Sequence, residues 1–279
     1  FASVLMPGVQ HMRHTHLPEH KFVKGQPDTG VEMAEDLERI AMNFGGENIA
    51  ACIIEPIAGS TGTLVPPKGY LKRIRDICNK HGILLIFDEV ITGWGRTGSA
   101  FAAQEWNVTP DIMTMAKATT NGVVPMGVVA VKEEIYDSVL DASSAPEGTP
   151  ELFHGYTYSG IPVAVAAALA VQDIFDKEDL INRAKEMSPY FQDGLHSLKD
   201  LKEIVSIRGY GMMGGIEINM KEKPGKAGYQ VFKHCYDAGV NFKNTGDNLI
   251  IAPQFICEKK HIDEIIEKLR TGISNYSKS

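Results

Sequence analysis

The chain has 279 residues, 43% hydrophobic and 23% charged, an ordinary soluble composition at a length that can bury a sizeable core. A net charge of -7 with no long basic run argues against nucleic acid and anionic membrane as partners. No apolar stretch approaches the ~18 residues that a bilayer-spanning helix needs. Cys52, Cys78, Cys235 and Cys257 are scattered and form no CxxC pair. Cys52 sits in an apolar run and Cys78 at helical apolar spacing, so both read as core thiols of a reducing compartment, the cytoplasm. The first residue is Phe1 and already reads as domain interior, so a targeting segment would lie upstream.

Residues 1 to 29 are polar and irregular, broken by Pro7, Pro18 and Pro27. His11, His14, His16 and His20 cluster there, with Glu19 the one carboxylate at ligand spacing. A solvated connecting loop is the better reading than a metal site. Residues 30 to 44 are helical in period, with Met33, Leu37, Ile40 and Ala41 on one face. Residues 49 to 54 form a buried strand that Pro56 stops, and Glu55-Pro56-Ile57-Ala58-Gly59-Ser60-Thr61-Gly62 follows with small residues that leave room for a side chain. Pro66-Pro67-Lys68-Gly69 then introduces a helix that turns Leu71, Ile74, Ile77 and Cys78 inward and closes at Gly82. Strand, helix and strand in this order are the βαβ alternation of an α/β fold with a mostly parallel sheet.

The most informative stretch runs from 83 to 117. Five consecutive apolar residues, 83 to 87, stop at Asp88-Glu89-Val90, and a second short apolar run ends in Met115-Ala116-Lys117. Ligands of open α/β sheets bind at the carboxyl ends of strands, so the carboxylate and the amine face one crevice. That pair suits pyridoxal phosphate: Lys117 carries the cofactor as a Schiff base and Asp88 pairs with its pyridinium nitrogen. A carboxylate ~4 Å from a pyridinium at an effective dielectric of ~20 is worth on the order of 4 kcal/mol. This amounts to about three pK units, which keeps the ring nitrogen protonated near neutrality. Lys117 needs the opposite treatment, because a lysine is a poor nucleophile until desolvation or a nearby cation lowers its pKa. Between the two ends, Gly93-x-Gly95-x-x-Gly98 also spells the dinucleotide fingerprint. Asp88 to Thr92 intervene between strand and glycines, however, and Asp111 starts its strand instead of ending it. A nicotinamide-dependent oxidoreductase is therefore the runner-up.

Thr119-Thr120-Asn121-Gly122 is a polar turn, residues 126 to 131 a further strand, and residues 141 to 151 a loop rich in Ser, Ala, Pro and Gly. His154-Gly155-Tyr156-Thr157-Tyr158-Ser159-Gly160-Ile161-Pro162 precedes an alanine-rich helix. Pro162 suits its first turn, the hydroxyls before it suit a cap, and such a helix start is also an anion site. Strands follow at 204 to 207 and 212 to 218, a helix at 228 to 238, a strand at 249 to 252, and a closing helix at 262 to 269 with Ile265 and Ile266 inward.

Asp88-Glu89-Val90, the glycine turn and Met115-Ala116-Lys117 stand in the order of the class III (omega) aminotransferases, and residues 50 to 175 resemble that family almost continuously. The resemblance implies a fold type I pyridoxal-phosphate transferase with helices on both faces of the sheet. Residues 1–175 would be part of the large cofactor domain and residues 176–279 a smaller α+β domain. It implies transamination from an omega-amino acid or amine to a keto acid such as pyruvate, with Lys117 also moving the proton. The same sequence features fit the related aminomutase and racemase reactions. In the family Val90 packs on the ring, Glu55 and Ser60 border the substrate, and Thr157 reaches the cofactor phosphate of the other subunit of a homodimer. Two positions depart from the family. Many relatives that use pyruvate or beta-amino acids carry an arginine where Lys243 stands, and lysine supplies charge without the planar fork. His or Asn is common where Ile161 stands. The family's amino-terminal third, with the loop that cradles the cofactor phosphate, has no counterpart here, so an inactive remnant or a dimerising module is a further reading.

Overall fold

The structure, a computed structural model, describes residues 4–143, 146, 155–220 and 223–278. His154 and most of the loop expected at 141 to 151 lie outside the described residues. The first sheet sets strands β1 (Ala51–Ile54), β2 (Leu84–Asp88), β3 (Ile112–Met115) and β4 (Val128–Val131) side by side in chain order. β1, β2 and β3 are parallel and β4 is antiparallel to β3. Helices α1 (Glu35–Phe44) and α2 (Tyr70–His81) supply Leu37, Ile74, Ile77 and Cys78 to a core completed by Cys52, Leu85 and Phe87 of the strands. α2 ends as the sequence dictates: Gly82 takes the left-handed conformation and its amide donates to the Cys78 carbonyl.

Side chains alternate across a strand, so the residues between those core positions face the other way. The register sets Ile53 beside Ile86, Asp88 beside Thr114, and Thr114 beside Val129, all on the face opposite Leu85 and Phe87. On that second face Ile53 and Val129 are exposed among the described residues. Asp88 therefore ends β2 on the open side of the sheet.

Two short helices follow in this half, α3 (Ala102–Glu105) and α4 (Glu133–Ala142), and α5 (Pro162–Lys177) leads out of it. α4 has no fully buried residue and contributes little core signal to the sequence. Pro162 opens α5 as expected, but Ile161 is the capping residue and no side chain caps the helix, because the hydroxyl of Ser159 lies two positions too early. The second sheet is antiparallel, built from β5 (Ile204–Tyr210), β6 (Met213–Ile218), β7 (Lys243–Thr245) and β8 (Asn248–Ile251) in the spatial order β5-β6-β8-β7. It packs with α6 (Leu180–His196), α7 (Lys226–Asp237) and α8 (Lys259–Lys278) around Phe191, Leu195, Ile207, Ile216, Val231, Ile262 and Leu269.

The glycine turn of residues 93 to 98 joins the two halves. Arg96 from this turn donates to the carbonyls of Met212 and Pro253 at 2.8 and 2.6 Å and lies 4.4 Å from the centre of the Phe255 ring. The loop after β1 makes a second joint, where Ile57 and Val65 pack with Met213. A Cβ on Gly215 would run into the backbone carbonyl of Gly62 across that joint. Gly215→Ala should cost about 1–3 kcal/mol, read as a lowered denaturation midpoint, because backbone must move to admit the methyl.

Candidate active site

Asp88 is the last residue of β2, and its position is fixed by the two bonds made to Oδ1. The Val90 amide donates to it at 3.0 Å and the Thr114 hydroxyl of the neighbouring strand at 3.3 Å. Glu89, the next residue, turns inward and is fully buried. Its carboxylate accepts from the Thr92 hydroxyl at 2.5 Å and from the amides of Ala102 and Ala103 at 3.0 and 2.8 Å, tying the glycine turn to the start of α3. Burial pushes the Glu89 carboxyl above the usual range, against the pull of those donors.

Lys117 follows β3 at the start of a tight turn and has φ +46, a left-handed conformation uncommon for a residue with a Cβ. Its amine is held below the ordinary lysine value, first by desolvation and also by the Lys243 cation. Asp88 and Glu55 act on the same amine in the opposite direction. Four of the candidate residues thus share one electrostatic environment although they come from a strand end, a loop, a turn and a distant edge strand. Ser60 joins them: the Lys243 amine donates to its hydroxyl at 3.1 Å. Glu55 in turn accepts from the Gly59 amide at 3.0 Å, which curls the loop that carries Ser60.

Arg208, buried in β5, organises the far side of this edge. It donates to the Gly62 carbonyl at 3.0 Å, to the Ser206 hydroxyl at 2.9 Å and to the Glu217 carboxylate at 2.8 Å, and also bonds Asn248 of β8. It therefore grips both the Ser60 loop and the strand that pairs with the Lys243 strand. Nothing local in the sequence marks this role, because Gly62 lies 146 positions away. Thr157 stands apart. It occupies an exposed turn before α5 with φ +60, and among the described residues no hydrogen bond joins it to Lys117 or Asp88.

The glycines cradle nothing in the manner of a dinucleotide site. Residues 93 to 98 are a turn that does not open a helix, and space beside Gly95 and Gly98 is taken by Phe255, Ile181 and Lys185. The donor set fits pyridoxal phosphate instead: a partly desolvated amine and an anchored carboxylate at neighbouring parallel strand ends.

Such a lysine and carboxylate on this sheet define the class of pyridoxal-phosphate-dependent α/β enzymes. Comparison with known proteins narrows the class. Residues 2–273 match the family described as aminotransferase class III, and the chain belongs to that family. It is 49% identical over 268 residues to the omega-aminotransferase of Caulobacter vibrioides, covering 95% of this chain and 60% of that protein. To the omega-amino acid–pyruvate aminotransferase of Pseudomonas putida it is 42% identical, covering 94% and 59%. Among solved structures, the omega transaminase from Pseudomonas jessenii in complex with PMP superposes with a TM-score of 0.91 at 29% identity, over 99% of this chain and 62% of the other. The chain spans about 60% of the length of these curated relatives. A nicotinamide oxidoreductase finds no support.

Because Lys243 lowers the Lys117 amine and Glu55 raises it, the two substitutions should move it in opposite directions. Lys243→Met raises the Lys117 titration midpoint and Glu55→Gln lowers it further, each followed by NMR of reductively 13C-methylated lysine with Lys117→Arg to assign the resonance.

Proposed function

We propose that this chain performs pyridoxal-phosphate-dependent transamination, moving an amino group from an omega-amino acid or amine to a keto acid such as pyruvate. The observation that carries the reading is that Asp88 closes β2 and Lys117 follows its parallel neighbour β3, where the amine feels the charges of Asp88, Glu55 and Lys243. The relatives named omega-aminotransferase and omega-amino acid–pyruvate aminotransferase support it. When bound, pyridoxal phosphate supplies an electron sink for the carbon that bears the amino group.

The residues divide the rest of the task. Lys117 would hold the cofactor through its amine, and desolvation favours the neutral form that accepts a proton at Nζ. Asp88 would face the ring nitrogen as a fixed carboxylate, braced by Thr114 and Val90 so that little reorganisation accompanies the charge change. Val90 would pack on the ring. Lys243, steadied by Ser60, would attract a substrate carboxylate as a point charge. Glu55 would set the opposite limit of that pocket.

The wider assembly belongs to the same proposal. A homodimer in which Thr157 serves the partner's cofactor phosphate is supported by the exposed position of Thr157 and by the apolar residues Val163 and Leu169 left exposed on α5. Division into a cofactor-binding part, residues 1–175, and a smaller part, residues 176–279, is supported by the two separate cores. Placement in the cytoplasm is supported by four buried cysteines that remain unpaired.

Borohydride reduction after incubation with pyridoxal phosphate should fix a pyridoxyl label on the Lys117 peptide. Lys117→Ala should lose that label and lower amino transfer from beta-alanine to pyruvate by ~10²–10⁴-fold, the range for a positioned acid–base group. Asp88→Asn, which keeps shape and removes charge, should retain the label but lose about 10²-fold or more in rate. A label on another lysine, or transfer surviving in Lys117→Ala, would defeat the reading.

A further inference from the structure

Lys117, with φ +46, and Trp94, in the glycine turn, with φ +60, both adopt left-handed backbone although each carries a side chain. Residues with a Cβ avoid this conformation, and it persists where surrounding contacts over-determine it. A two-bond relay connects these turns. The Trp94 indole Nε1 donates to the Thr119 hydroxyl at 3.0 Å, and that hydroxyl reaches the Ala116 carbonyl at 3.1 Å. The polarity is unambiguous. An indole N–H only donates, so the Thr119 oxygen accepts from it and spends its single proton on Ala116.

Each end of the relay is fixed. The Trp94 ring lies 5.1 Å from the Phe101 ring and 6.4 Å from that of Phe175 in α5, and the Gly93 amide just before it donates to the Glu89 carbonyl at 2.9 Å. At the other end the Thr119 amide also donates to Ala116, and the Gly122 amide closes on the Lys117 carbonyl at 3.2 Å. Ala116 is the residue immediately before the lysine, and Thr119 is buried. A hydroxyl there is costly to bury unless both its donor and acceptor roles are used, and the relay uses both.

We propose that Trp94 and Thr119 are positioning residues for Lys117, which through this relay hold its turn in the left-handed conformation that presents the amine to the site. The inference rests on the reading of Lys117 as the cofactor lysine and extends it to residues that touch neither substrate nor cofactor. The relay also gives the glycine turn its purpose: it acts as a brace carrying an indole N–H to the lysine turn.

Trp94→Phe keeps one aromatic ring against Phe101 and Phe175 while removing the N–H donor and part of the indole's volume, so Thr119→Val and its Thr119→Ser rescue carry the separation of bond from packing. Thr119→Val is nearly isosteric and deletes the hydroxyl, and Thr119→Ser restores it. Measured by NMR on the purified chain without added cofactor, amide exchange at Thr119 and Gly122 should quicken about five- to tenfold in Trp94→Phe and in Thr119→Val. The double variant should exchange little faster than either single one, because both cut the same chain of bonds. Thr119→Ser should return to the wild-type rate, and the Lys117 amine should titrate higher in the two deleting variants as the loosened turn admits water. Unchanged exchange, additive effects in the double variant, or Thr119→Ser as fast as Thr119→Val would overturn the relay. Borohydride labelling of the same proteins separates the two ideas, since a label away from Lys117 defeats the catalytic reading whatever the exchange rates show.

Discussion

The parallel pairing of β2 with β3 is the constraint on which the rest depends. Parallel strands end on the same side, so a carboxylate closing one and a lysine just past the next arrive at one edge without any loop having to find the other. The pairing of Asp88 with Thr114 refines this, because the hydroxyl that braces the carboxylate comes from the strand that leads to Lys117. A one-residue slip in register would turn Asp88 toward the α1–α2 core and Phe87 toward the open face. Leu85 and Phe87, completely buried on the helix side, make that slip expensive. Core packing and site geometry are thus set by the same alternation.

Alternation also separates two adjacent carboxylates. Asp88 faces outward with its bonds concentrated on Oδ1, whereas Glu89 turns in and is surrounded by donors. Burying a carboxylate carries a large desolvation cost, and three hydrogen bonds offset much of it while fixing the start of the glycine turn. The first acid stays available at the open face and the second serves the scaffold that holds Trp94 and Arg96.

Much of this was legible in the sequence because its signals are local and periodic. The apolar run ending at Asp88, the helix closed by Gly82 and the strand–helix alternation follow from spacing alone. Other elements carried no such signal. α6 contains Pro189 and Gly194, both unfavourable inside a helix, and it is sustained by burial of Phe191 and Leu195. β7 is three residues long and exists because β8 pairs with it. The glycine spacing had two meanings in sequence, and packing against Phe255, Ile181 and Lys185 removes one. Arg208 and the Trp94–Thr119 bond were invisible for a different reason: their meaning lies in partners 146 and 25 positions away.

Lys243 shows how such long-range packing shapes chemistry. Its ammonium is compact and strongly hydrated, so by itself it would specify charge but not direction. The bond to Ser60 supplies part of the missing direction, and the Ser60 loop is in turn held between Glu55 at one end and Arg208 at the other. The planar guanidinium that would suit a carboxylate stands one layer back in Arg208, where its fork is filled by Gly62, Ser206, Glu217 and Asn248. Directional bonding thus goes to the buried guanidinium and an adaptable point charge to the exposed edge strand. A single flexible cation can meet an anion over a range of approaches where a bidentate fork would enforce one.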